Sequence, residues 1–183
     1  MTISSTGKID FNADIGESFA SYELGLDSEI VKYITSGNIA TGFHASDPDW
    51  MAKTVSLAIE NGVGIGAHPS YPDLAGFGRR NMDLTPSEVR NAVTYQIGAL
   101  AAFTPDRKLQ HVKPHGALYN TAVRDEAVAE AIVSAVKAFD PELIHVVLAG
   151  SQWESIARAQ GVRVARECYA DRAVTAQGTL VQR

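Results

Sequence analysis

Apolar runs that end in a polar cluster and then give way to helical spacing recur along the whole chain. Lys8 to Ile15 alternates in a β pattern and ends in Asn12-Ala-Asp14-Ile-Gly16-Glu17, after which Asp27 to Thr35 sets Ile30, Val31 and Ile34 at helical spacing. Asn38 to His44 reads as a second short strand. Asp47-Pro48 supplies an N-cap and a first-turn proline for a helix to Asn61, closed by Gly62. Val63 to Ala67 forms a third strand ending at His68-Pro69, and Thr85-Pro86-Ser87-Glu88 is a capping box that opens a helix to about Ala102. The remaining units are a strand from Leu109 to Val112, a helix from Arg124 to Phe139, a strand from Ile144 to Leu148, a helix from Gln152 to Gln160, and a strand from Val162 to Arg166. Pro114 and Gly116 oppose any regular element between Lys113 and Tyr119, so that stretch is expected to be a strand end turning into a loop. Six βα-type units predict an α/β chain with a parallel sheet and right-handed crossovers, either closed into a barrel or open and doubly wound.

The polar residues follow the strand order. Asp14 and Glu17, His44 and Asp47, His68 and Asp73, Lys113 and His115, Ser151, then Glu167 and Asp171 each fall just after a predicted strand. In a parallel sheet all carboxyl ends share one face, so residues far apart in sequence meet at one mouth. Singly each has an ordinary use: Asp47 as a helix cap, Asp14 or Glu17 as a solvated acid, a lone histidine as a hydrogen-bonded loop residue. Together they point to one site. The densest part is His111-Val-Lys113-Pro-His115-Gly-Ala-Leu-Tyr119, where a lysine, a histidine and a tyrosine lie within seven residues.

Composition narrows the function classes. At 183 residues and 45% hydrophobic content the chain is long enough for one well-buried domain and short for two. Its net charge of −5, without a basic stripe, argues against nucleic acid and membrane partners and for small molecules or proteins. Cys168 is the single cysteine, which excludes an intrachain disulfide and a cysteine-rich zinc site. The first residues lack the basic start and apolar core of a secretory signal, so the expected location is cytoplasmic.

Two chemistries suit the strand-end residues. Asp14, His44, His68 and His115 offer a divalent metal nitrogen and oxygen ligands, though without a short-range spacing such as His-Glu-x-x-His. Alternatively Lys113 and His115 polarise a carboxylate, lactam oxygen or phosphate while Asp14 or Glu17 positions water, an arrangement for hydrolysing an amide-like bond. The second reading is preferred. Gly62-Val-Gly64-Ile-Gly66 lacks the order of the dinucleotide fingerprint, and no phosphate-loop motif occurs. Phe77-Gly78-Arg79-Arg80 carries two guanidinium groups that match phosphate oxygens.

Four long motifs, in order, carry a family resemblance. Phe11-Asn-Ala-Asp14-Ile-Gly-Glu17, Asn38-Ile-Ala-Thr-Gly-Phe-His44-Ala-Ser-Asp47-Pro, Gly64-Ile-Gly-Ala-His68-Pro-Ser-Tyr71-Pro-Asp73-Leu-Ala-Gly-Phe-Gly-Arg79-Arg80 and Val112-Lys113-Pro-His115-Gly-Ala-Leu-Tyr119 resemble the LamB/YcsF family, and Glu167-Cys-Tyr-Ala-Asp171-Arg172 resembles its Glu-x-x-Ala-Asp-Arg segment. The resemblance implies a distorted (β/α) barrel related to polysaccharide deacetylases. It also implies opening of the lactam 5-oxoproline to glutamate with ATP as co-substrate, in concert with 5-oxoprolinase B and C subunits. On that footing Asp14, Glu17, His44, Lys113 and His115 are the expected catalytic residues, and His68, Asp73, Arg79, Tyr119 and Glu167 the expected substrate-binding residues. A metal-dependent deacetylase or amide hydrolase on the same fold, and a non-catalytic subunit that only positions substrate, are the alternatives. This chain has Ala13 and Thr41 where family members often have cysteine, and Ser46 and Ser70 where they often have glycine. Family members usually continue beyond the position of Arg183, so one barrel-like domain over residues 1–183 is expected to lack its last units, leaving an open edge. Another copy of the chain or a partner subunit would meet that edge.

Overall fold

The computed structural model describes residues 9–173 together with Thr175, Thr179 and Val181. Its strands are β1 (Asn12–Ile15), β2 (Ser36–Ala40), β3 (Gly64–His68), β4 (His111–Val112), β5 (Ile144–Leu148) and β6 (Arg163–Glu167). Every neighbouring pair is parallel, and the order in the sheet is β1-β2-β3-β4-β5-β6. A doubly wound sheet reverses its strand order at a switch point. Strict sequential order is that of a (β/α) barrel, so the barrel alternative holds and the doubly wound one falls. Among the described residues β1 and β6 each pair on one side only, which leaves the barrel open between them. The tail from Ala173 to Arg183, with few large apolar residues, is expected from its sequence not to supply a further strand and helix for that edge; it lies largely outside the described residues, as does Lys8 at the start of the first predicted strand.

The helices are α1 (Asp27–Ile30), α2 (Pro48–Glu60), α3 (Pro86–Ala101), α4 (Gly116–Ala122), α5 (Glu126–Phe139) and α6 (Gln152–Ala159). Start signals in the sequence translate directly. The Asp47 side chain accepts from Asp49 N and Trp50 N, Thr85 and Glu88 close a capping box, and Ser151 accepts from Glu154 N. Gly62 ends the α2 unit with φ +67. Apolar faces of α3, α5 and α6 pack against the sheet, with Ile97, Leu100, Ile132, Val136, Val147 and Trp153 fully buried.

Three elements depart from expectation. The helix expected over Asp27 to Thr35 stops at Ile30, because the chain turns through Val31 and Ile34, both buried, straight into β2 at Ser36. The second strand covers Ser36–Ala40, so His44 belongs to the loop beyond it. The expected loop after Lys113 is instead a helix, α4, starting at Gly116 itself. His115 is its N-cap in extended geometry, and Gly116 enters with φ +54. A side chain at Gly116 would press on Gly78 O, 2.6 Å from where its Cβ would lie, so the glycine marks close packing rather than a break. No helix among the described residues is long and apolar enough to cross a membrane.

Candidate active site

Alternation along β1 turns Asn12 and Asp14 to one face of the sheet, and the β4 end brings Lys113 between them. Lys113 Nζ lies 3.2 Å from Asn12 Oδ1, 3.3 Å from Asp14 Oδ1 and 2.7 Å from Glu167 Oε1 at the end of β6. Only 5% of Lys113 is exposed. Burial disfavours its charge, yet Asp14 and Glu167 outweigh that and raise its pKa, so the ammonium is fixed as a cation. Asn38 on β2 donates to both Asn12 Oδ1 and Asp14 Oδ1, at 2.8 and 2.9 Å, and its own oxygen meets His111 Nε2 at 2.8 Å. A buried polar row therefore runs under the strand ends and sets the orientation of Asp14. Tyr169 OH donates to Glu167 Oε2 at 2.8 Å.

Beside this row stands an imidazole cluster. His44 and His115 stack at 3.8 Å between centroids and 4° between planes, and His68 meets both edge-on. The His68 Nδ1 side faces Lys113 O at 2.6 Å and the His115 Nε2 side faces Phe77 O at 2.9 Å. A carbonyl only accepts, so each of those nitrogens carries a proton. The opposite nitrogens, His68 Nε2 and His115 Nδ1, then face one another at 3.0 Å. Two bare lone pairs repel at that separation, so the arrangement suits a proton on one nitrogen or a cation held by both. Asp14 Oδ2 lies 3.4 Å from His68 Nε2; burial alone would lower the His68 pKa, and Asp14 more than compensates, raising it. Reciprocally, burial would raise Asp14, but His68 and Lys113 hold its carboxyl well below the usual range. His115 is pushed down to about 3 by burial and by His68 and His44, and His44 to about 2 by burial and by His68. Glu17 approaches His44 Nε2 at 3.1 Å and His115 Nδ1 at 3.6 Å, and burial, with the Asp14 charge, raises its pKa.

One ligand atom each from Glu17, His44, His68 and His115 lies within 4.8 Å of the others. Three imidazoles and a carboxylate, two of the rings anchored to backbone carbonyls through the opposite nitrogen, form a donor set that suits a divalent cation. Asp14, the expected fourth ligand, is displaced by Glu17 in that grouping and faces Lys113 and His68 from outside it.

A cavity of about 500 Å³ opens above these groups, lined by Asp14, His68, Arg79, Lys113, His115 and Tyr119 among others. His44 does not line it: fully buried, it backs His115 from behind. Glu167 stands below Lys113 rather than at the cavity wall. Asp73 is turned away. It accepts from Gly76 N and from Arg80, whose Nε is 2.9 Å from Oδ2, so it braces the turn that carries Gly78 and Arg79. The Arg80 guanidinium beside Asp73 holds its carboxyl down to about 2. Asp47 serves as the cap of α2, as its ordinary reading had it. Asn12, Asn38, His111 and Tyr169 were not picked out by sequence; the two-residue spacing of Asn12 from Asp14 on one strand was the available signal. A second cleft of about 400 Å³, lined by Leu24, Leu26, Trp50 and Leu57 among others, holds none of the strand-end groups.

Comparison with known proteins identifies the family and its fold. The chain is 58% identical over 178 residues to the A subunit of 5-oxoprolinase from Thermococcus onnurineus, covering 96% of this chain and 70% of that protein. It is 57% identical, with the same coverage, to the corresponding 5-oxoprolinase polypeptide of Alkaliphilus metalliredigens. The crystal structure of a lactam utilization protein from Thermus thermophilus superposes with a TM-score of 0.92 at 50% identity, over 96% of this chain and 72% of that one. The LamB/YcsF family profile matches residues 9–183, which takes in every strand and every strand-end residue described above, and the chain belongs to the LamB/YcsF family.

Proposed function

We propose that this chain is the A subunit of an ATP-dependent 5-oxoprolinase, and that the cavity at the strand ends is where 5-oxo-L-proline is opened to L-glutamate. The observation that carries the reading is the Lys113 ammonium, buried at the cavity wall between Asp14 and Glu167 and next to the imidazole cluster. It stands in a chain whose relatives are named for this hydrolysis. In the reaction water adds to the lactam carbonyl, the C–N bond breaks, and the ring nitrogen leaves with a proton. Asp14, oriented by Asn38 and His68, positions the water. Lys113 faces the oxyanion that forms, and a positioned cation in a water-poor site stabilises such charge without reorganising. His68 and His115 both line the cavity, and a proton on His68 Nε2, where the Asp14 carboxylate favours it, would serve the departing nitrogen. Arg79 and Tyr119 contact the substrate from the wall. ATP is hydrolysed in concert with B and C subunits, in keeping with the absence of a phosphate-loop motif here, and the assembly works in the cytoplasm.

A second reading rests on the ligand grouping. Glu17, His44, His68 and His115 would hold a divalent cation, which would supply Lewis-acid polarisation of the carbonyl, as in a metal-dependent amide hydrolase.

One assay addresses both readings. Glutamate formation from 5-oxoproline and ATP is measured with the chain alone, with both partner subunits, and with the assembly after chelation and metal restoration. The expected result is little or no turnover by the chain alone and full turnover with partners. ATP-coupled conversion by the pure chain would overturn the partner requirement. Loss on chelation with recovery on adding a divalent cation would favour the metal reading.

A further inference from the structure

We propose that Arg79, Arg124 and Arg172 form a binding subsite for a phosphoryl group, adjoining the strand-end cavity. The three come from separate parts of the chain: the turn braced by Asp73, the connection between α4 and α5, and the segment after β6. They converge on a hollow of about 230 Å³ together with Asn81, Asn120 and Thr179, and none of the described residues that line it is acidic. Arg79, Asn120 and Arg172 also line the larger cavity, so an anion held here lies against the site already described.

The charge arrangement has no evident structural purpose. Four arginines elsewhere among the described residues are matched to carboxylates, Arg80 to Asp73, Arg158 and Arg166 to Glu154 and Arg163 to Glu142, while Arg90 and Arg107 stand singly, so it is the convergence of three from separate parts of the chain that sets the hollow apart. In the hollow, Arg124 Nε donates to Asn120 O at 3.1 Å and Arg172 Nη2 to Val181 O at 2.7 Å, while Arg79 lies over the Phe77 ring at 5.1 Å. Each guanidinium has five donors, so these contacts steady the groups and leave further N–H donors for a ligand. The neighbouring Asp125 carboxylate is used as the cap of α5, accepting from Ala127 N and Val128 N. Three cations gathered without a lining carboxylate, in a chain of net charge −5, make a local positive field that draws anions.

A phosphoryl group fits this hollow better than a carboxylate does. Guanidinium forks match phosphate oxygens two at a time, and three forks exceed what the two oxygens and single charge of a carboxylate can satisfy. The hollow is concave and continuous with the cavity, which favours a small ligand over an acidic protein segment.

The test uses the folded chain and needs no turnover, so it stands or falls apart from the proposed hydrolysis. Inorganic phosphate is titrated by calorimetry, with ATP, glutamate and an oligoglutamate peptide as separate arms. Saturable phosphate binding is expected, weakened at least about tenfold in Arg124→Gln and in Arg172→Gln, since each removes a charged hydrogen-bond donor from the anion. Binding should be unchanged in Arg166→Gln, whose side chain pairs with Glu154. ATP that displaces phosphate with the same arginine dependence assigns the group to a nucleotide. ATP that fails to compete assigns it to phosphate itself or a compact phosphoryl compound, and either result upholds the subsite. Absence of saturable phosphate binding, equal binding by both arginine variants and wild type, or preference for glutamate or the peptide over phosphate would overturn it.

Discussion

Replacing Lys113 with alanine should lower glutamate formation by the reconstituted assembly by about a hundredfold or more, the usual cost of removing a charge-stabilising group from a water-poor site. The effect has two separable parts. Lys113 faces the cavity, so its loss removes the cation expected to meet the developing oxyanion. It is also the shared partner of Asp14 and Glu167, and breaking a buried pair from one side destabilises by about 3–5 kcal/mol. Glu167, 5% exposed at its side chain, bears most of that strain, whereas Asp14, 39% exposed, regains some solvation. Denaturant unfolding alongside steady-state rates distinguishes the parts, because turnover is read only where the variant is folded. Near-normal turnover in folded Lys113→Ala would remove Lys113 from the chemistry.

The second large effect is expected at a residue with no side chain. A Cβ on Gly78 would lie 2.8 Å from His44 Cβ, 2.9 Å from His115 Cδ2 and 3.2 Å from Ser70 Cβ, and Gly78 has φ +63. Gly78→Ala should therefore lose about 1–2 kcal/mol from the left-handed backbone alone. It should also force the stacked imidazoles to move, taking most of the activity with them. Gly62→Ala is the control, since Gly62 has φ +67 but nothing within 4 Å of its Cβ. That variant should show the backbone cost with turnover intact. Equal turnover in the two variants, per folded molecule, would mean that the packing of His44 on His115 does not matter to the reaction.

Much of this was readable in the chain. The caps at Asp47 and Thr85 are local chemistry, satisfied within three residues, and they placed α2 and α3 well; Ser151, read only as a strand-end polar residue, turned out to cap α6 in the same way. The collection of Asp14, His68, Lys113 and His115 at one mouth follows from parallel strands alone. What could not be read depends on register and close packing. That Glu167 rather than a nearer acid pairs with Lys113 requires β6 to lie two strands from β4, which pattern does not state. Gly116 looked like a helix breaker because its contact with Gly78 is tertiary, so α4 was missed. Asp73 looked like a site acid because it follows a strand, but its partner Arg80 is seven residues on, within the same turn. His44 was expected at the cavity wall and instead backs His115, since β2 ends at Ala40 and the loop beyond it folds inward.

Opening of the lactam at the strand-end cavity of this chain is tested most directly through Asp14. The measurement is glutamate formation by the full assembly carrying Asp14→Asn, compared with wild type at matched folded fraction by circular dichroism. Asparagine keeps the size and the contacts to Asn38 and Lys113 but removes the charge that positions water and holds the His68 proton. A rate lower by about a hundredfold or more is predicted, in line with the loss of a positioned acid–base group; an unchanged rate in the folded variant would contradict catalysis at this cavity.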